Sequence, residues 1–290
     1  MAQSFSELIG MLESAEKFSD RNGTGREIID LSFRVHDVPG TVFFTSKDRL
    51  NDARYVAAQL WWYSKCDQKL GGIENYNPGM WSRFTGPWRS GDDINSNYGE
   101  YVFDENQLDT VIERLTEDPM SRRAIILFNR PEVSTSETSD HICTTSLQFL
   151  IRNGKLHAIA TMRSNELWNG FRYDVAFFTF LMDFVRAELD CGLRLGSYTH
   201  NVGSFHVYLN EDEHLCDVQA EALVFPQLRP VEGPVILDLI QDAEEFAKKY
   251  GSSEQARHVF KSRTVKPDFK HFELLTDLIF DYEPVTHPRP

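Results

Sequence analysis

"SLQFLIRNGKLHAIATMRS", Ser146 to Ser164, is two apolar-rich runs joined by Asn153-Gly154. Asn-Gly between such runs is a strong short-range signal for a β-hairpin, because both residues accept the left-handed backbone of a type I′ turn. Upstream, residues 124–129 read as a buried strand. Downstream, residues 174–190 read as an apolar helix, followed by a strand near 204–209. Further out, the spacing predicts a helix over Phe5 to Phe18, a glycine-rich turn in "DRNGTGRE" (Asp20 to Glu27) and a strand in "IIDLSFRV". A helix is expected over Asp52 to Ser64, and another opened by Asp104 and Gln107 with Leu108, Val111, Ile112 and Leu115 on its apolar face. Residues 71–100, rich in Gly, Asn, Pro and Trp, read as a long loop of the kind that is more often functional than idle. A last helix is expected over Ile236 to Tyr250. This mixed order predicts an α/β or α+β chain with a large mixed sheet flanked by helices. Without a linker to split it, residues 1–290 read as one domain.

The 290 residues are 41% hydrophobic, enough for a sizeable core, and carry a net charge of −14. That charge argues against non-specific nucleic-acid binding, which needs a basic stripe. An anionic small molecule remains compatible, since a local arginine cluster can focus positive potential on an acidic protein. The four cysteines, at 66, 143, 191 and 216, show no CxxC spacing and do not suggest a metal site or a disulfide framework. No signal segment opens the chain, and no apolar run approaches the ~18 residues of a membrane span. A reduced, cytoplasmic protein without metal, membrane or nucleic-acid partner is expected.

Cys143 follows a polar, acidic loop and opens a strand. A free cysteine is commonly a small buried hydrophobe, but arginines near it in sequence would favour a nucleophilic thiolate. Arg21, Arg122, Arg123 and Arg163, the last beside Ser164, are either solvated surface cations or a phosphate-binding set. His206 and Tyr208, two apart in "GSFHVY", share one strand face. They could be core residues with satisfied polar tips or could bind a sugar hydroxyl.

Taken together these motifs resemble thymidylate synthase and its relatives, the pyrimidine-nucleotide hydroxymethylases, from about Asp20 to about Tyr208. "DRNGTG" resembles the family's phosphate-binding arginine loop. "SRR" (Ser121 to Arg123) resembles the arginine pair that reaches the partner subunit. Cys143, followed by Gln148-Phe149, resembles the nucleophile stretch, "MRSNELWNGFRYD" (Met162 to Asp174) the segment behind it, and "GSFHVY" the sugar-binding His-x-Tyr. The resemblance implies a thymidylate synthase-like fold that pairs sheet to sheet in a homodimer. It implies attack of Cys143 on C6 of a pyrimidine monophosphate, with 5,10-methylenetetrahydrofolate as one-carbon donor. Arg21, Arg163, Ser164 and a partner's Arg122 and Arg123 would hold the phosphate, and Gln148, His206 and Tyr208 would complete substrate binding. Met80, Trp81, Glu166, Gly170 and Tyr173 match folate-lining positions, and Tyr98 matches the tyrosine near the nucleophile.

Where the synthases carry asparagine, this chain carries Asp174. The asparagine amide accepts from uracil N3–H and donates to O4. Cytosine reverses both roles, and a protonated carboxyl, donating through O–H and accepting through C=O, matches it, as does a carboxylate facing a protonated N3. Since free aspartate has a pKa of about 3.9, that proton needs a shielded site. An aspartate at a helix start is also a common N-cap; at this family position the resemblance implies a cytosine reader, the pattern of deoxycytidylate hydroxymethylases. Three departures stand out: Gln59 in "QLWWYS" replaces a family glutamate, Thr144 replaces a histidine, and the chain ends in "THPRP". Glu100, close to Tyr98, is a candidate substitute for the missing glutamate. An altered closure would let water, in place of hydride, complete the transfer and give 5-hydroxymethyl-dCMP. The alternatives are a CMP hydroxymethylase, a reductive dCMP methyltransferase and an inactive nucleotide-binding relative.

Overall fold

The computed structural model describes residues 5–20, 22–36, 41–44, 49–66, 73–75, 80–81, 94–134, 140–189, 192–208 and 221–224. The Asn153-Gly154 hairpin is its centre. Asn153 (φ +52°) and Gly154 (φ +66°) both take the left-handed backbone, and join β5 (Thr144–Arg152) to β6 (Lys155–Glu166). The register opposes Leu147 to Ala160, Phe149 to Ala158 and Ile151 to Leu156. All six are buried, so period-two alternation sends one face of the hairpin into the core.

Around this hairpin a six-stranded mixed sheet forms in the order β1-β2-β7-β6-β5-β4. Its other strands are β1 (Glu16–Asp20), β2 (Gly23–His36), β4 (Ile125–Leu127) and β7 (Arg194–Tyr208). Only β6 and β7 run parallel. Parallel neighbours need a long crossover, here a π-helical turn (Leu167–Phe171) and a long helix, Arg172–Glu188. The sheet is kinked beside the end of β6. Asp30 sits at φ +59° between the Ile29–Ser204 and Leu31–Val202 pairs, and β5 is bulged between Thr144 and Ser146. Such irregularities bend strands and re-aim side chains next to sites. A second, two-stranded sheet pairs β3 (Thr41–Phe44) with β8 (Glu221–Val224).

The Arg172–Glu188 helix is buried on nearly every side, as an apolar helix sandwiched between layers must be. Phe178 lies 6.0 Å from Phe128 and 6.4 Å from His200 in the sheet layer, while Phe177 lies 4.5 Å from Tyr63. Tyr63 belongs to the helix Arg49–Ser64, which starts slightly before the expected Asp52.

Several boundaries differ from the sequence expectation. The first helix stops at Glu13 instead of Phe18. Residues 16–20 are claimed by strand pairing with β2, and the glycine-rich turn shrinks to Asp20–Gly23. There the Asp20 carboxylate accepts from the backbone N–H of Asn22 (2.8 Å) and Gly23 (3.1 Å), a turn-forming habit of aspartate. Asp104 does not open a helix. It ends a π-helix, Glu100–Asp104, and the next helix runs Gln107–Glu117 from Asn106 at φ +55°. The Gln107 amide instead ties that helix to Leu127 in β4. Leu108, Val111 and Leu115 are buried, and Ile112 packs at the margin. Strand β7 begins at Arg194, ten residues before the expected start. Helix Ile236 to Tyr250, the tail "THPRP", Arg21 and much of the 71–100 stretch lie outside the described residues.

Candidate active site

Because β6 and β7 are parallel, their carboxyl ends come together, and antiparallel β5 brings its start to the same edge. A cavity of about 610 Å³ opens there. Its walls include Cys143 before β5, Arg163, Ser164 and Glu166 from β6, and His206 and Tyr208 from β7. The crossover contributes Gly170, Tyr173 and Asp174, and the Arg49–Ser64 helix contributes Gln59. Tyr98, Met80 and Trp81 also line it. The structure thus gathers most of the residues singled out in the sequence. Arg122 and Arg123 are exposed and outside the cavity, and the Gln148 amide donates to the Arg122 carbonyl at 2.9 Å. Glu100 also lies outside it. It sits in the π-helix near Cys66 and Tyr101, whose pKa values are raised first by burial and then by neighbouring charges, that of Glu100 among them.

Cys143 is half-buried. Burial pushes its thiol up to about 11, and the Arg163 guanidinium pulls it down. The Asp174 and Asp140 charges push it up further. An arginine does favour the thiolate, as expected, but desolvation outweighs it. Arg163 has a second task. Its backbone N–H donates to the Cys143 carbonyl (2.8 Å), and its guanidinium donates to the carbonyls of Ile142 (3.1 Å) and His141 (2.7 Å), fastening the Cys143 loop. Asp140, missed in the sequence, clamps that loop from the other side by accepting from the Ser96 N–H (2.8 Å) and hydroxyl (2.6 Å). Thr144 donates to the Tyr98 hydroxyl at 2.9 Å, and Tyr98 stacks on Tyr63, whose hydroxyl accepts from Gln59 at 3.0 Å.

Asp174 is the third residue of its helix and not an N-cap. Only 9% of it is exposed. Burial raises its carboxyl to about 7, against a smaller lowering by a hydrogen bond from Asn165 (3.1 Å). Near neutrality it can therefore hold the proton that a free aspartate would have lost. Asn165, too, went unremarked in the sequence, although it sits inside the motif that named its neighbours.

Two further walls have distinct character. Tyr55, Met80, Trp81 and Tyr173 form an aromatic side, with Tyr55 and Tyr173 4.4 Å apart and the Trp81 indole donating to the Tyr55 hydroxyl at 3.1 Å. Glu166, paired with His206 across β6 and β7, caps the π-helical turn by accepting from the Asn169 N–H. Near it the Tyr208 hydroxyl donates to Asp20 (3.1 Å) and accepts from Asn22 (3.2 Å) beside His206. A thiol, an arginine, a shielded carboxyl, a polar edge and an aromatic wall thus share one cavity.

Residues 3–238 match the family model described as Thymidylate synthase. The chain belongs to the thymidylate synthase family. Deoxycytidylate 5-hydroxymethyltransferase of Enterobacteria phage T4 is 35% identical over 194 residues, 63% of this chain and 75% of that protein. The protein of the same name from phage T2 gives the same figures. A putative thymidylate synthase of Methanocaldococcus jannaschii is 35% identical over 111 residues, 37% of this chain and 49% of that protein. The chain is accordingly a thymidylate synthase-like, folate-dependent one-carbon transferase acting in nucleotide metabolism. Methylenetetrahydrofolate fits the residues present: the Tyr55–Trp81–Tyr173 wall offers a planar ring an apolar surface against the cavity that holds Cys143. Among the described residues no helix is long and apolar enough to cross a membrane.

Proposed function

We propose that the chain hydroxymethylates deoxycytidylate at C5. The observation that carries this reading is Asp174, a carboxyl with a pKa of about 7 in the same cavity as Cys143. A protonated Asp174 donates to cytosine N3 and accepts from the N4 amino group. Ionised against uracil, it would face O4 with no donor to offer, a mismatch worth ~1–3 kcal/mol. The 35% identity to the phage deoxycytidylate enzymes supports the same base and the deoxy sugar.

In this reading Cys143 Sγ bonds to C6 and makes C5 nucleophilic. Bound methylenetetrahydrofolate supplies the one-carbon unit, at the oxidation level of formaldehyde. Once C5 has lost its proton and the bond from the one-carbon unit to the folate nitrogen has broken, with tetrahydrofolate leaving, water would add to the exocyclic carbon, give up a proton to solvent, and the Cys143–C6 bond would break, returning the thiolate. The Tyr98 hydroxyl, its pKa raised well above 10 by burial and then by the Asp174 and Cys143 charges, keeps its proton and serves as a hydrogen-bond partner beside the nucleophile. Arg163 and Ser164, with Arg21, bind the phosphate. His206 and Tyr208 read the sugar. Glu166, Met80, Trp81, Gly170 and Tyr173 receive the folate. A second copy, pairing sheet to sheet, would contribute its own Arg122 and Arg123 to the phosphate, which accounts for their exposure outside this cavity.

The test is the mass of the product formed from dCMP and methylenetetrahydrofolate, with CMP and dUMP in parallel. Gain of a hydroxymethyl group on dCMP alone is expected. A methyl group would overturn the water step, and turnover of dUMP in preference to dCMP would overturn the base assignment.

A further inference from the structure

A protonated carboxyl is ambiguous as a base reader. With the proton on one oxygen it matches cytosine; with the proton on the other it matches uracil. Shielding Asp174 therefore does not by itself select a base, and a second group must fix which oxygen carries the proton.

Asn165 stands in that position. It is 3% exposed at the end of β6. Its side-chain nitrogen lies 3.1 Å from Asp174 Oδ2, 3.0 Å from His200 Nε2 and 2.8 Å from Met162 Sδ. An amide nitrogen only donates, and the Met162 thioether beside it can only accept, which sets the nitrogen and not the amide oxygen on this side. The other side agrees, because a Cβ at position 170 would overlap Asn165 Oδ1. Gly170 leaves the room that the oxygen occupies. One N–H of Asn165 therefore goes to Asp174 Oδ2, which must accept. The other goes to His200 Nε2, which must also accept. The His200 proton is then on Nδ1, donated to the Tyr198 hydroxyl at 2.6 Å. Burial holds His200 neutral, with its pKa lowered to about 3.

We infer that Asn165 is a specificity-positioning residue: by donating to Asp174 Oδ2 it confines the carboxyl proton to Oδ1, so only one of the two possible hydrogen-bond patterns reaches the base. His200 and Tyr198 hold Asn165 in that orientation from behind. The inference rests on the reading of Asp174 as a cytosine reader, which makes the excluded pattern the one that suits uracil.

Calorimetric titration of dCMP and dUMP into wild-type and Asn165→Ala protein, without folate, tests it. Wild type is expected to favour dCMP. In Asn165→Ala the dCMP:dUMP affinity ratio should collapse by roughly tenfold or more, partly through tighter dUMP binding, which general loosening of the site would not produce. An unchanged ratio in a folded variant overturns the inference, whereas a wild type that prefers dUMP overturns the cytosine reading instead. A second measurement needs no variant at position 165. Two-bond ¹H–¹⁵N spectra of the histidine rings, with the His200 signal assigned by its loss in His200→Gln, should show a neutral ring protonated on Nδ1. An Nε2–H tautomer could not accept from Asn165 and would sink the proposal even if Asn165→Ala failed to fold.

Discussion

Asp174 concentrates the chemistry of the site into one proton. Its replacement by asparagine, which donates and accepts in fixed positions, should move activity towards dUMP. Relative kcat/KM for dUMP over dCMP is expected to rise by roughly tenfold or more in Asp174→Asn. An undiminished dCMP preference would refute the base-reading role. The same residue predicts a pH dependence of stability. Its pKa is about 7 in the fold against 3.8 for the free side chain, with burial the main cause. The native state thus keeps a proton that the unfolded chain loses between those values. Its stabilising contribution is complete below about pH 4 and is lost as pH rises through about 7. Urea unfolding of wild type and Asp174→Asn at pH 5 to 8 should show wild type weakening against the variant by a few kcal/mol at most. A constant difference across that range would mean the carboxyl is not perturbed. At this scale the sequence was informative where a motif named the residue, as for Cys143, Arg163 and Asp174. It was silent on Asn165, Asp140 and Ser96, whose roles arise from contacts across 9 to 44 positions.

Among the elements, the Asn153-Gly154 hairpin was legible because its turn chemistry is local and both residues adopt the predicted backbone. The two π-helical turns were not, since an extra residue per turn leaves no periodic mark in so short a segment. The strand at Glu16–Asp20 was also hidden. Its own residues suit a helix, and only pairing with β2 extends them. The π-helical turn before Asp174 is where this matters for function, because it sets Gly170 against Asn165. Gly170→Ala should displace the Asn165 amide and weaken dCMP binding by roughly tenfold, the scale of one lost hydrogen bond to a buried charged or polar partner. Equal dCMP affinity in the variant, measured by calorimetry, would show that the amide tolerates the added methyl.

For the molecule as a whole, the mixed sheet flanked by helices follows the sequence expectation, and the cavity lies where parallel strands end. The proposed dimer belongs to this scale. The sheet face away from the Arg172–Glu188 helix presents half-buried Gln148 and Ile159 and exposed Thr161, and Arg34 donates to Thr199 there at 3.1 Å. Sedimentation equilibrium should return twice the chain mass, and mixing inactive Cys143→Ala with inactive Arg122→Ala/Arg123→Ala chains should restore activity. A monomer that turns over dCMP would end the shared-site proposal.

The β2–β7 pairing carries a last consequence, for how the protein comes into being. Asn22 and Tyr208 meet in the cavity across 186 positions of chain. During synthesis the β1–β2 hairpin must wait for β7 to emerge, and contacts of such long range are slow to form. The nucleotide pocket is therefore among the last features to assemble, so a nucleotide can recognise only chains whose two distant segments have already joined, and its presence would draw late intermediates towards the finished fold.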